Sequence, residues 1–169
     1  MKKLYAPWRH DYVTKPGKKD KSLNKDTCVF CQQFAEHNDE QYFIIRRFKH
    51  SAVIMNYYPY NVGHVMILPF EHRGNLTDLT PEVRAEMMEV TNLAIKVVGS
   101  VLNTEGFNIG INQGVAGGGG IPGHLHIHVL PRWLGDTNFL ETIGQTKLIS
   151  SDFTQTYKNL KSQFDQENL

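Results

Sequence analysis

Apolar and polar positions alternate with a period of two in several short stretches and recur at helical spacing in two longer ones. The pattern predicts a sheet flanked by helices. Residues 42–48 and 51–56 read as strands separated by Lys49 and His50. Residues 64–69 read as a third strand, after the turn Tyr57-Tyr58-Pro59-Tyr60-Asn61-Val62-Gly63. Connections this short favour antiparallel pairing over parallel crossovers. In 81–102, Val83, Met87, Val90, Ala94, Val97, Val98 and Val101 fall on one helical face, which predicts a long amphipathic helix packed on the sheet. Thr80 suits its N-cap, Pro81 its first turn and Glu82 its positive end. A short helix is expected over 28–37, a fourth strand over 107–112 and a fifth over 124–131. Phe153, Tyr157, Leu160 and Phe164 form the stripe of a C-terminal helix that Ser150 or Ser151 would cap. The expected fold class is α+β, with about five mostly antiparallel strands, one long amphipathic helix and a C-terminal helix. One domain is expected over 1–169: an N-terminal extension and Lys-rich loop (1–26), a core (27–149) and the last helix (150–169).

Charge and composition remove several function classes. Eighteen Lys and Arg against seventeen Asp and Glu leave a formal charge of +1, without the electrostatic footprint of a nucleic-acid binder. Lys15, Lys18, Lys19, Lys21 and Lys25, with Pro16 and Gly17, read as a solvated loop. No apolar run is long enough for a membrane helix, and the start of the chain lacks the apolar stretch of a secretory signal, so the cytoplasm is the expected compartment. There, Cys28 and Cys31 read as metal ligands or free thiols rather than a disulfide.

The candidate chemistry lies in His124-Leu125-His126-Ile127-His128-Val129-Leu130. On a strand the three imidazoles share one face, while Leu125, Ile127 and Val129 share the other. Such a row can be a polar outer face, a metal site, or a site of covalent phosphoryl chemistry in which a ring nitrogen attacks phosphorus. The preceding segment 114–123 carries six glycines and can bring backbone N–H groups against an anion. That neighbour favours the third reading.

The segment resembles the signature of the histidine-triad (HIT) family of nucleotide-binding hydrolases and transferases, His-φ-His-φ-His-φ-φ with φ apolar. The stretch from Met55 through His64 to Pro69 and His72 is similar to the family's nucleoside-side strands and turn. Leu4-Tyr5-Ala6-Pro7-Trp8-Arg9, Pro131-Arg132-Trp133 and Gly135-Asp136-Thr137-Asn138-Phe139 resemble the bacterial branch of diadenosine tetraphosphate phosphorylases and hydrolases.

The resemblance implies a HIT-like fold and a catalytic pair, His126 and His128. His126 would attack the α-phosphorus of a dinucleoside polyphosphate such as diadenosine tetraphosphate. Water or inorganic phosphate would then resolve the nucleotidyl-histidine. His128, as imidazolium, would hold phosphate oxygens. His124 would orient the strand or bind metal. Asn112 would lie near phosphate and ribose, Asn56 at the ribose, and the backbone of Gly118, Gly119 and Gly120 at the phosphates. Where many members carry Gln followed by Ser or Thr, this chain has Gly120 and Ile121, a departure that weighs against a nucleoside phosphoramidate hydrolase. The same residues also admit a non-catalytic nucleotide-binding adaptor, or a metal-dependent enzyme using all three histidines as ligands. Several members build structural zinc from a set that here is Cys28, Cys31, His72 and His124; no organic cofactor is implied. The resemblance also implies a homodimer formed through the helix and the sheet edge. His64 is expected to support the site or to be structural, His10, His37 and His50 to lie on the surface, and Trp8 and Trp133 to pack.

Overall fold

Five short strands form one sheet in the order β1-β2-β3-β5-β4, and every neighbouring pair is antiparallel. The computed structural model describes residues 24–168. The strands are β1 (Ile44–Arg47), β2 (Ser51–Met55), β3 (Val65–Pro69), β4 (Gly106–Ile111) and β5 (Ile127–Arg132). Among the described residues the α-helices are α1 (Val29–Ala35), α2 (Pro81–Leu102), α3 (Phe139–Thr142) and α4 (Phe153–Phe164).

The period-two pattern gives the sheet two apolar faces. Val53, Met55, Val65, Ile67, Ile127 and Val129 meet Val83, Met87, Val90, Ala94 and Val97 of α2 and Tyr157, Leu160 and Phe164 of α4. Ala52, Ile54, Met66 and Leu68 meet Cys28, Phe30 and Phe34 around α1. Each fully buried aliphatic or aromatic side chain contributes about 1.5–3 kcal/mol. Polar tips add direction: the Tyr157 hydroxyl donates to the Ile44 carbonyl at 3.1 Å and Lys161 Nζ to that of Ile45 at 3.0 Å, which seats α4 beside β1.

The long helix spans the expected residues. Thr80 accepts from the Val83 N–H, and Asn103 ends the helix in the left-handed region at φ 49°. Three local expectations differ. Asp152, not Ser150 or Ser151, caps α4 by accepting from the Gln155 N–H at 2.8 Å. Ser151 instead pairs its hydroxyl with Thr156 at 2.8 Å. β5 begins at Ile127 rather than at 124, because the preceding backbone is engaged elsewhere: the Leu125 N–H donates to the Arg73 carbonyl at 2.7 Å and the His124 N–H to that of Ile121 at 3.2 Å. The aromatic excursion after β5 contains α3, capped by Asn138. The segment bearing Trp8 and His10 lies outside the described residues.

Candidate functional site

Side-chain alternation from 124 to 129 survives although the backbone joins the ladder only from Ile127. Leu125, Ile127 and Val129 are buried with α2, and the three imidazoles occupy the opposite side. The His126 and His128 rings lie 4.7 Å apart between centroids. Phe30 of α1 stands edge-on to His124 at 5.5 Å and to His126 at 5.7 Å. Strand register sets the neighbours. His128 lies opposite Met66 on β3 and Gly110 on β4. Continuing the β4–β5 register by one residue brings Asn112 beside His126. The glycine loop then folds back on Asn112: Gly119 is buried, and a Cβ there would come within 3.0 Å of the Asn112 carbonyl oxygen. Gly118 occupies the left-handed region at φ +81°, and Gly118 and Gly120 are exposed.

Hydrogen bonds to backbone groups decide where each imidazole carries its proton. His126 Nδ1 lies 2.9 Å from the His124 carbonyl oxygen. A carbonyl only accepts, so Nδ1 bears the hydrogen and Nε2 keeps a lone pair. Burial lowers the His126 pKa, so the ring is neutral near pH 7. Only 6% of the residue is exposed.

His128 is governed from the other side. The Tyr60 backbone N–H donates to His64 Nδ1 at 3.1 Å, which leaves the His64 hydrogen on Nε2. His64 Nε2 lies 2.9 Å from His128 Nδ1 and donates to it, so the neutral His128 carries its hydrogen on Nε2. Burial, then the proximity of His128 and His126, pushes His64 down to about 3, so it stays neutral. The contact joins Tyr60, His64 and His128 in one hydrogen-bonded chain. Asn56 belongs to the same chain: its Nδ2 donates to His64 Nδ1 at 3.2 Å and its Oδ1 accepts from the Tyr58 N–H at 3.0 Å. Asn61 fastens the turn to β5 by donating to the Pro131 carbonyl and to Asp136. Arg132 binds Asp136 through two nitrogens and holds its carboxyl well below the usual range.

At the other end of the triad, Cys28, Cys31, His72 and His124 converge, with ligand atoms all within 4.8 Å of one another. His124 Nε2 donates to the Pro69 carbonyl at 2.8 Å. Its Nδ1 lone pair therefore faces Cys28 Sγ at 3.4 Å and Cys31 Sγ at 3.5 Å. His72 Nδ1 is 3.4 Å from Cys31 Sγ. Tetrahedral zinc with ordinary Zn–S and Zn–N bonds has an S···N edge of about 3.6 Å, so the donor set fits that ion with little adjustment. Burial above all keeps His124 neutral, with its pKa down to about 4. Burial, then Cys28, push the Cys31 thiol up to about 11, a cost that a bound cation reverses by stabilising the thiolate. Two residues after His72, Gly74 passes close to Pro122. A Cβ there would stand 2.5 Å from the Pro122 carbonyl oxygen.

His64, expected to support the site, does so through His128. His37 is exposed, His50 half-buried, and Trp133 packs with its Nε1 donating to the Asn103 carbonyl at 3.1 Å. Sequence reasoning missed Phe30 and Tyr60. The Tyr60 ring lies 4.8 Å from that of His64 and 5.9 Å from that of His128. The only sequence signal for Tyr60 was its place four residues before a histidine in a turn.

The HIT domain family model matches residues 37–133. The chain is 35% identical over 165 residues to the AP-4-A phosphorylase of Mycobacterium tuberculosis, covering 97% of this chain and 85% of that protein. It is 30% identical over 119 residues to the asymmetrical bis(5'-nucleosyl)-tetraphosphatase of Schizosaccharomyces pombe, covering 70% and 62% respectively. Among solved structures, a Zn-bound histidine triad family protein from Mycobacterium smegmatis superposes with a TM-score of 0.69 at 26% identity, covering 85% of this chain and 96% of that one.

Proposed function

Because this chain belongs to the HIT domain family, we propose that it is an enzyme that cleaves a dinucleoside polyphosphate, diadenosine tetraphosphate being the substrate its relatives indicate. The observation that carries the reading is the Nδ1 bond from His126 to the His124 carbonyl, which leaves the ring's lone pair on Nε2. Nε2 attacks the α-phosphorus. An N–P bond forms, the bond to the bridging oxygen breaks, and the electron pair leaves with the displaced nucleoside polyphosphate. The ring then carries positive charge, which its Nδ1–H shares with the His124 carbonyl. The His128 Nε2–H donates to oxygen at the reacting phosphate. An oxygen of the acceptor next attacks phosphorus, the N–P bond breaks, and neutral His126 is restored. Inorganic phosphate is the proposed acceptor, giving ATP and ADP. This assignment is supported by the relative named as a phosphorylase, which spans nearly the whole chain. Asn112 and the backbone of Gly118, Gly119 and Gly120 are proposed to hold phosphate oxygens, and Asn56 to reach the ribose.

Cys28, Cys31, His72 and His124 are proposed to hold structural zinc, which would cross-link α1 to the triad segment; no organic cofactor is proposed. The chain is read as one domain over 1–169, working in the cytoplasm; among the described residues no helix is long and apolar enough to cross a membrane. A homodimer is supported by β4, a sheet-edge strand whose Ile109 is 50% exposed.

Product analysis after incubation with diadenosine tetraphosphate, with and without inorganic phosphate, tests the reading. ADP together with ATP, formed only when phosphate is present, is expected. AMP and ATP formed without phosphate would assign water as acceptor, and no turnover under either condition would contradict the enzyme reading.

A further inference from the structure

The turn that leads to His64 exposes its tyrosines, Tyr57, Tyr58 and Tyr60, but buries Asn61. Asn61 Nδ2 donates to the Pro131 carbonyl at 3.1 Å and to Asp136 Oδ2 at 2.9 Å. Both partners only accept, so the amide orientation is fixed, and Oδ1 turns to the Val62 N–H at 3.2 Å. The Asn61 carbonyl accepts from the His64 N–H at 3.3 Å. One residue thus ties the end of β5 to the backbone that carries His64. The acceptor is equally specific. Asp136 lies in the segment Gly135-Asp136-Thr137-Asn138-Phe139, to which the nucleotidyl-transfer reading gives no role. Its carboxylate receives Arg132 Nε at 2.6 Å, Arg132 Nη2 at 2.8 Å, and the Trp133 N–H and Thr137 hydroxyl at 3.2 Å each. Asn61 is the donor among them that comes from another segment. The turn after β5 closes on itself around this carboxylate, and Asn61 joins the histidine-bearing turn to it.

We propose that Asp136, acting through Asn61, is a positioning residue for the transfer reaction: it holds residues 60–64 so that His64 Nε2 meets His128 Nδ1 and keeps His128 in place at the reacting phosphate. The inference rests on the nucleotidyl-transfer reading above. The His64 ring is fully buried and engaged at both nitrogens, so its place follows the backbone on either side. On the β3 side that backbone is held by the Asn56 N–H, which donates to the His64 carbonyl at 2.9 Å. On the Tyr60 side it is held by Asn61. A hydrogen bond weakens steeply as it lengthens or bends, and a misplacement of about 1 Å, even when caused far from the chemistry, can cost on the order of 100-fold in rate. The effect of Asp136 and Asn61 is carried through His64 rather than by contact with the reacting atoms.

The test measures kcat and KM for diadenosine tetraphosphate, with inorganic phosphate supplied, in Asp136→Ala, Asn61→Ala and the double variant. Each single substitution is also made in His64→Ala protein, and 1H–15N spectra of the histidine rings are recorded. Each single variant lowers kcat by about 10–100-fold and leaves KM within about 3-fold of wild type. The double variant stays within about 3-fold of the slower single one, and neither substitution adds a loss to His64→Ala, because all act on one contact. The His64 ring gives up its single Nε2–H tautomer in Asn61→Ala, while His124 and His126 keep theirs. Asn61→Ala leaves the Arg132–Asp136 pair intact and decides the matter should Asp136→Ala not fold. Unchanged kcat in folded Asn61→Ala, a full further loss on top of His64→Ala, or a His64 tautomer unmoved by Asn61→Ala would overturn this inference alone. A wild-type protein that does not turn over diadenosine tetraphosphate would overturn the nucleotidyl-transfer reading, and this inference with it.

Discussion

Substituting His126 with alanine lowers turnover of diadenosine tetraphosphate by on the order of 10⁴-fold or more, the scale of losing a nucleophile. Substrate binding stays within a few-fold of wild type. The reason for the split is geometric. His126 Nε2 is the proposed attacking nitrogen, because the backbone holds the other ring nitrogen protonated and so leaves the lone pair on Nε2. The groups proposed to bind substrate, Asn56, Asn112 and the glycine loop, stand on other segments and remain when the ring is removed. The ring is buried, packs against Phe30 and His128 and makes one backbone hydrogen bond, so its removal costs stability of about 2–4 kcal/mol, less than the whole stability of an ordinary chain. Parallel rate, equilibrium-binding and melting measurements check this. A variant with turnover within about 10-fold of wild type would show that another group attacks phosphorus.

The second large effect is on stability. Stripping the metal from the wild-type protein with a strong chelator, or replacing Cys28 with serine, lowers the melting temperature by about 10 °C or more. An ion present at about 1,000 times its dissociation constant adds ~4 kcal/mol, and a chain of this length shifts by roughly 2–4 °C per kcal/mol. Cys28 is fully buried at the start of α1, and serine nearly preserves its shape, so the loss reports the ion rather than a cavity. Elemental analysis finds one zinc per wild-type chain and none in Cys28→Ser. The chelator then has no further effect on the variant. A wild-type protein purified without added metal that carries no zinc, and melts at the same temperature with and without chelator, would contradict the proposal.

Much of this was legible in the sequence, and the reasons are physical. The α2 boundaries followed from Thr80, Pro81 and a seven-residue apolar stripe, all strong local signals. The two faces of the triad segment followed from alternation alone, even where the backbone leaves the ladder at His124. Convergence of Cys28 and Cys31 with His72 and His124 was expected by resemblance, since ligands far apart in sequence reveal nothing through spacing. The proton positions were not legible. They depend on which carbonyl or amide each ring meets, and the Tyr60 N–H that fixes His64, and through it His128, is a backbone group with no sequence signature. The α4 cap is Asp152 rather than Ser150 or Ser151 because neighbouring residues with similar capping chemistry compete, and here the last one before the helix wins.

Turnover as proposed depends on a transient bond between His126 Nε2 and phosphorus. Mixing the enzyme with diadenosine tetraphosphate radiolabelled at the α-phosphorus, without inorganic phosphate, and quenching within one turnover tests that bond directly. The label is expected on the protein as an acid-labile, base-stable adduct, mapping to His126, absent from His126→Ala and discharged as ADP when phosphate is added. Full product formation in a single turnover with no protein-bound label at any quench time would contradict it.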